Sequence, residues 1–242
     1  MSKAFVPMIA ASALLAGCHA QAEVGEGTTV SKTYNVGNFS AIEVAGPYDV
    51  EVRTGSNPSV SARGGEKLLE RTEVKVDGDK LVIRPEHRGG SLFSWGWKTR
   101  GTAHFVVTVP QLNGATIAGS GDIRVDKVAG PAFEGEVAGS GGIDVASLQV
   151  QQLKLSIAGS GGVKAGSGTA QNANYDIAGS GDIDAGGVQA QALKVSIAGS
   201  GGVKGNAKGT ADVSIMGSGD VNVVGGAKCN ISKAGSGDVT CS

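Results

Sequence analysis

Between Gly139 and Gly159 the apolar side chains fall at Ile143, Val145, Leu148, Val150, Leu153, Leu155 and Ile157. Two periods on, the stretch from Gly179 places Ile183, Ala185, Val188, Ala190, Leu193, Val195 and Ile197 at the same offsets. Alternation of apolar and polar residues is the period of a β-strand. The alternation skips after Val145, after Val150 and at each Gly-Ser-Gly, and those skips mark corners. Each period therefore predicts three short strands and three corners, which is one rung of a parallel β-helix.

Gly-Ser-Gly begins at Gly119, Gly139, Gly159, Gly179, Gly199, Gly217 and Gly235, at intervals of 20, 20, 20, 20, 18 and 18. A near-constant period of this length is the mark of stacked supersecondary units. Glycine inside a strand costs roughly 0.5–1 kcal/mol relative to alanine, so its return at one place calls for a corner that needs φ > 0. A phosphate-cradling loop is the competing reading, but no helix-forming segment follows any copy. The outward residue between the first two inward ones runs Arg124, Asp144, Lys164, Asp184, Lys204, Asn222, Thr240. In-register stacking would set opposite charges side by side down five consecutive rungs. Regular rungs occupy residues 113–242 of a single domain spanning 28–242.

The same template reaches back to "IEVAGPYDVEV", Ile42 to Val52, which overlays on "LSIAGSGGVKA", Leu155 to Ala165, with Pro47 and Tyr48 in place of Ser and Gly. About eight rungs are expected in all, with an irregular insertion at about 53–110. Within it, "EKLLER" at Glu66 suits a helical turn or two. "TEVKVDGDKLVIRP" reads as a hairpin bent at Asp77-Gly78-Asp79, and "HFVVTVP" at His104 as a strand leading back to the array.

Composition sharpens this picture. Glycine is 41 of 242 residues but proline only 6, and the glycines are periodic and separated by Val, Ile and Leu, which argues against a disordered linker. Aromatics are 4%, so the core is built from small aliphatic side chains. A net charge of -1, from 21 basic and 22 acidic residues, leaves no electrostatic footprint for nucleic acid. Residues 1–22 read as an export signal: Lys3, an apolar run from Ala4 to Ala16, then "LAGC" as a lipobox with Cys18 as the lipid-bearing residue. Cleavage after Ala20-Gln21-Ala22 would instead discard Cys18. Both readings export the chain. With His19 rather than Asp after Cys18, a Gram-negative lipoprotein would be directed to the outer membrane.

The run "FSAIEVAGPYDVEVRTG" at Phe39 to Gly55, together with the serial "GSGDI" and "GSGGV" units, resembles the auto-transporter adhesin head GIN domain family over roughly residues 36–242. The resemblance implies a right-handed β-helix on exported, often lipid-anchored proteins. The fold expectation is thus all-β, a right-handed parallel β-helix with rungs of 18–20 residues. The family name suggests adhesion, and it transfers no catalytic residue and no ligand.

Candidate chemistry is sparse. Asp122, Asp182, Asp220 and Asp238 follow Gly-Ser-Gly, while Gly142, Gly162 and Gly202 fill that slot elsewhere. Calcium-binding repeats need a fuller ligand set every nine residues, so each Asp is expected to cap its own corner, with no metal. A polysaccharide lyase or hydrolase is the alternative class, because such enzymes also use β-helices. They need paired carboxylates beside aromatic platforms, and the rungs next to Asp182 and Asp184 offer Gly and Lys. No Ser-His-Asp or metal spacing emerges from His19, His87 and His104. The expectation is a non-catalytic binding, adhesion or structural module of the cell envelope. It has no cofactor, is held to a membrane through Cys18, and has a protein or glycan as its ligand.

Two residue sets stand out. Cys229 and Cys241 match inward positions Ala211 and Val223 on rungs shortened to 18 residues, and an oxidising compartment permits their pairing. Free buried thiols are the other reading. "EHRGGSLFSWGWKTRG", Glu86 to Gly101, holds both tryptophans: Phe93, Trp95, Trp97, Lys98 and Arg100 make a candidate binding loop for a partner, an anionic glycan or a membrane surface. The same residues would also serve as a cap over one end of the helix.

Overall fold

The structure is a computed structural model and describes residues 28–86 and 102–242. It is a β-solenoid of about six turns, and the described residues are 76% strand and 2% helix. The eight or so rungs expected become about six because the outermost layers lack one or two of the three sides. The regular body consists of β9 (Asp122–Gly139), β10 (Gly142–Gly159), β11 (Gly162–Gly179), β12 (Asp182–Gly199) and β13 (Gly202–Gly217). Each of these strands runs around all three sides and pairs in parallel with the next. Every inward position read from the alternation at residues 143–157 and 183–197 is buried.

The two glycines of each corner are required for different reasons. Gly159 sits at φ 133°, a conformation that L-residues avoid, and the first glycine of every Gly-Ser-Gly does the same. Gly161 has no such φ, but a Cβ there would run into the Gly141 carbonyl oxygen and the Val137 side chain. The corners lie this close because they hydrogen-bond: the Gly139 carbonyl accepts from Ser160 N at 2.9 Å and Gly161 N at 3.0 Å.

Volume is balanced within each layer. The rung carrying the fully buried Tyr175 places Ala165, Gly168, Ala170 and Ala173 where the rung before has Val145, Leu148, Val150 and Leu153. One large ring thus replaces several aliphatic branches at near-constant interior packing. The Tyr175 hydroxyl has no hydrogen-bond partner among the described residues, and burial pushes its pKa well above the usual phenol value.

Rung length changes between β12 and β13. The register offset falls from 20 at Asp184 and Lys204 to 17 at Gln189 and Asn206, then settles at 18 from Ala192 and Thr210 onward. The second side shortens, and inward Val188 has no register partner in the next rung. The stack closes with β14 (Asp220–Val224), β15 (Lys228–Ala234) and β16 (Val239–Cys241). Nothing stacks beyond them, so Ile231, in register with buried Val213, is 51% exposed.

The stretch that breaks the sequence pattern extends the stack at its other end. Here β2 (Ala41–Ala45) and β3 (Tyr48–Thr54) pair in parallel with β8 (Gly114–Gly119) and β9, which confirms the overlay of "IEVAGPYDVEV" on the repeat. Two strands of the insertion, β6 (Lys80–Pro85) and β7 (Ala103–Val109), then add a further parallel layer on β2 and β3. Three antiparallel strands finish the end: β1 (Thr29–Tyr34) on β4 (Ser59–Gly65), β4 on β7, and β5 (Thr72–Asp77) on β6. The short helix α1 (Glu66–Glu70) buries Leu68 and Leu69 over the same core. Tyr48 stands where the repeat has its second glycine. Its ring packs edge-on against Phe105 at 5.6 Å, and its hydroxyl accepts from Thr72 Oγ1 at 3.1 Å.

Two expected outcomes check this account. Gly161→Ala should lower unfolding free energy by several kcal/mol, roughly the scale of a strained backbone. Its chain neighbour Gly162→Ala, whose Cβ would meet nothing nearer than 3.8 Å, should be near neutral in the same urea titrations. Tyr175→Phe should raise stability by about 1 kcal/mol, by removing a buried hydroxyl with no partner. A destabilised Phe variant would show that the hydroxyl is satisfied.

Candidate functional site

Because the rungs stack in register, any outward column becomes a row of side chains about 4.8 Å apart. Two such rows border depressions on the surface. The first lies beside the Gly-Ser-Gly corner, encloses about 330 Å³, and is bordered by Asp122, Arg124, Asp144, Lys164, Asp182 and Asp184, with Gly142 and Gly162 as its floor. Its charged column pairs Arg124, Asp144, Lys164, Asp184 and Lys204 in succession and begins at Glu51. Lys204 Nζ lies 3.6 Å from Asp184 Oδ2, with both side chains at least half exposed, so the column controls register more than stability.

The corner aspartates act across rungs. Asp182 Oδ1 accepts from Gly202 N at 2.8 Å, and Asp220 Oδ1 accepts from Asp238 N at 2.9 Å. The sequence reading has each Asp capping its own corner; the structure shows these two capping the next. The reason is rise: in a stacked corner the nearest free N–H belongs to the rung above. Gly142 and Gly202 leave room for the carboxylates of Asp122 and Asp182 that lean over them.

The corner carboxylates Asp122 and Asp182 do not assemble a hydrolytic pair. Asp122 and Asp182 stand three rungs apart, roughly 14 Å, beyond the separations that glycoside hydrolysis uses. Asp182 and Asp184 share a strand, but a backbone N–H holds the first as an acceptor and Lys204 faces the second. Among the described residues no group of three His, Cys, Asp or Glu side chains could hold a metal ion. His104 Nδ1 lies 3.5 Å from Asp49 Oδ2, and Asp49 is the register partner of Asp122 at the border of the first depression.

The second depression is larger and chemically different. It encloses about 630 Å³ along the second side and is walled by Gln149, Gln151, Thr169, Gln171, Gln189 and Gln191. Ala129 and Gly130 leave one end low, and Lys208 stands at the other. Sequence reasoning missed these amides, although Gln151, Gln171 and Gln191 recur at the repeat interval of 20.

Cys229 and Cys241 are joined by a disulfide with Cα atoms 6.7 Å apart and a sequence separation of 12. Both keep the register the repeat assigns, opposite Ala211 and Val223. The bond ties the last third side to the last first side, at the end where no further rung covers them. Cys18, Phe93, Trp95, Trp97, Lys98 and Arg100 lie outside the described residues. The strands flanking the aromatic segment end at Pro85 and begin again at Ala103, on either side of the corner that Tyr48 closes.

A capped β-solenoid with two side-chain-lined surface depressions is the class of protein this geometry defines. The chain belongs to the family described as "Putative auto-transporter adhesin, head GIN domain", which matches residues 38–227. Among solved structures, a "putative adhesin" from Bacteroides fragilis NCTC 9343 is similar at 24% identity and a TM-score of 0.77, over 88% of this chain and 97% of that one. A "Putative lipid binding protein" from Parabacteroides distasonis ATCC 8503 is similar at 23% identity and a TM-score of 0.69, over 89% and 97%. A "putative adhesin" from Parabacteroides merdae ATCC 43184 is similar at 20% identity and a TM-score of 0.69, over 90% and 98%. At these identities the likeness is one of fold. No curated protein matches the chain.

The disulfide yields a direct test. Replacing Cys229 and Cys241 together by Ser should cost about 2–3 kcal/mol, the scale for closing a loop of this length. Thiol titration of the denatured, unreduced mature protein should find neither cysteine free. Two titratable thiols would refute the bond.

Proposed function

We propose that the protein is an exported envelope protein, tethered by lipid on Cys18, that acts as a non-catalytic binding module. The observation carrying this reading is that the solenoid presents rows of outward side chains at fixed spacing, while Asp182 and Asp220 are engaged by backbone amides and Asp184 by Lys204. Such a scaffold is suited to holding a ligand in place. Support for the address comes from "LAGC" at Leu15 to Cys18 and from membership of an adhesin-described family. No helix among the described residues is long and apolar enough to cross a membrane. Aromatic Phe93, Trp95 and Trp97 with Lys98 and Arg100 add a second contact point of a composition suited to a partner or a lipid surface.

Isolated envelopes provide the test. Mass spectrometry of the mature protein should find an acylated Cys18 as the first residue, and Cys18→Ser should move the protein to the soluble fraction. A mature chain beginning at Glu23 would refute the anchor. Crosslinking in intact envelopes should capture a discrete partner, and acidic and neutral polysaccharides should not be turned over. Turnover abolished by Asp182→Asn would overturn the non-catalytic reading.

A further inference from the structure

The larger depression has a chemistry that selects its ligand class. Its walls are two rows of side chains flanking the buried column of Val150, Ala170 and Ala190. One row carries Gln149, Thr169 and Gln189, which are register partners, and the other carries Gln151, Gln171 and Gln191. Neighbours within a row are about 4.8 Å apart along the solenoid axis, and the rows are roughly 7 Å apart across it. Among the described residues, none of the five glutamine side chains forms a hydrogen bond or an ion pair with the protein. Each carboxamide therefore offers donors and an acceptor to whatever enters the groove.

We propose that this groove binds an uncharged polysaccharide chain lying along the solenoid axis, gripped by the carboxamides of Gln149, Gln151, Gln171, Gln189 and Gln191. The inference rests on the binding-module reading and names the ligand class of one site. Three observations select that class. The walls hold five amides and a hydroxyl but a single charged group, Lys208, at one end, so an acidic polymer has no row of cations to neutralise it. The floor strands are paired in parallel on both faces, Val150 with Gly130 and Ala170, and Ala170 with Ala190, so no backbone edge is open to an added peptide strand. Sugar hydroxyls both donate and accept, and a carboxamide is the uncharged side chain that meets both needs at once. The repeat supplies the same contacts rung after rung, which suits a polymer of repeating units better than a compact small molecule. Without aromatic platforms, each unit binds weakly, and affinity accumulates along the chain.

Affinity electrophoresis of the full chain in detergent tests the idea. Native gels would contain dextran, laminarin, hydroxyethylcellulose or galactomannan, with polygalacturonate as the acidic counterpart. Retardation is expected in at least one neutral gel and should persist at 0.5 M salt, about five times the ionic strength at which the screening length is 10 Å. Deleting one amide should weaken binding about fivefold, the worth of one hydrogen bond. The triple variant Gln151→Ala, Gln171→Ala, Gln191→Ala should thus abolish retardation. Its melting temperature should be unchanged, since all three side chains are exposed and unbonded. Lys208→Ala should bind as the parent does. No retardation in any neutral gel, retardation unaffected by the triple variant, or a salt-sensitive preference for polygalacturonate would each overturn the proposal. Envelope crosslinking that survives the triple variant would reject the groove and leave the binding-module reading standing.

Discussion

The contact on which the molecule depends is between one Gly-Ser-Gly corner and the next. The carbonyl of a corner glycine accepts two N–H groups from the rung above, as Gly139 does from Ser160 and Gly161. That hydrogen bonding draws two backbones closer than a Cβ allows. Every other regularity follows from it. Corners that must coincide force the rungs into register, and register turns each sequence position into a column. A chain of this kind cannot slip by one residue, because slippage would put a side chain where only hydrogen fits.

Once columns exist, inward and outward positions obey separate rules. Inward residues must fill a fixed cross-section, so Tyr175 is accompanied by alanines and glycine where the adjacent rung has valines and leucines. When the second side shortens at β13, an inward site disappears with it. The two ends are closed differently for the same reason. At the first, antiparallel strands pair on the outermost parallel layer, and Tyr48 packs on Phe105 and bonds to Thr72. At the second, a disulfide joins sides whose inward residues no longer have a rung above them.

Outward columns are free of the packing constraint, and there the surface acquires its character. One column alternates charge and secures register; another is a double row, mostly of amides that have no partner among the described residues. The fold therefore says little about ligand, since the same stack tolerates either surface. Specificity resides in which side chain each rung places outward.

Much of this was legible before the structure. The period, the inward positions of residues 143–157 and 183–197, the alternating charge column, the hairpin at Asp77–Asp79 and the overlay of Ile42–Val52 are local patterns, and local patterns survive in the sequence. The tertiary structure decided what depends on the neighbouring rung. It assigned the caps of Asp182 and Asp220 to the corner above, because the free N–H lies one rise away. It made the stretch around 53–110 an extension of the stack, because parallel pairing of β6 on β2 and β7 on β3 spans residues far apart in sequence. It brought the glutamines into one groove, because side chains 20 residues apart become neighbours only when rungs stack. Sequence alone determines the repeat and its inward face. Stacking determines which residues meet, because every contact that matters here is made across a whole turn of chain.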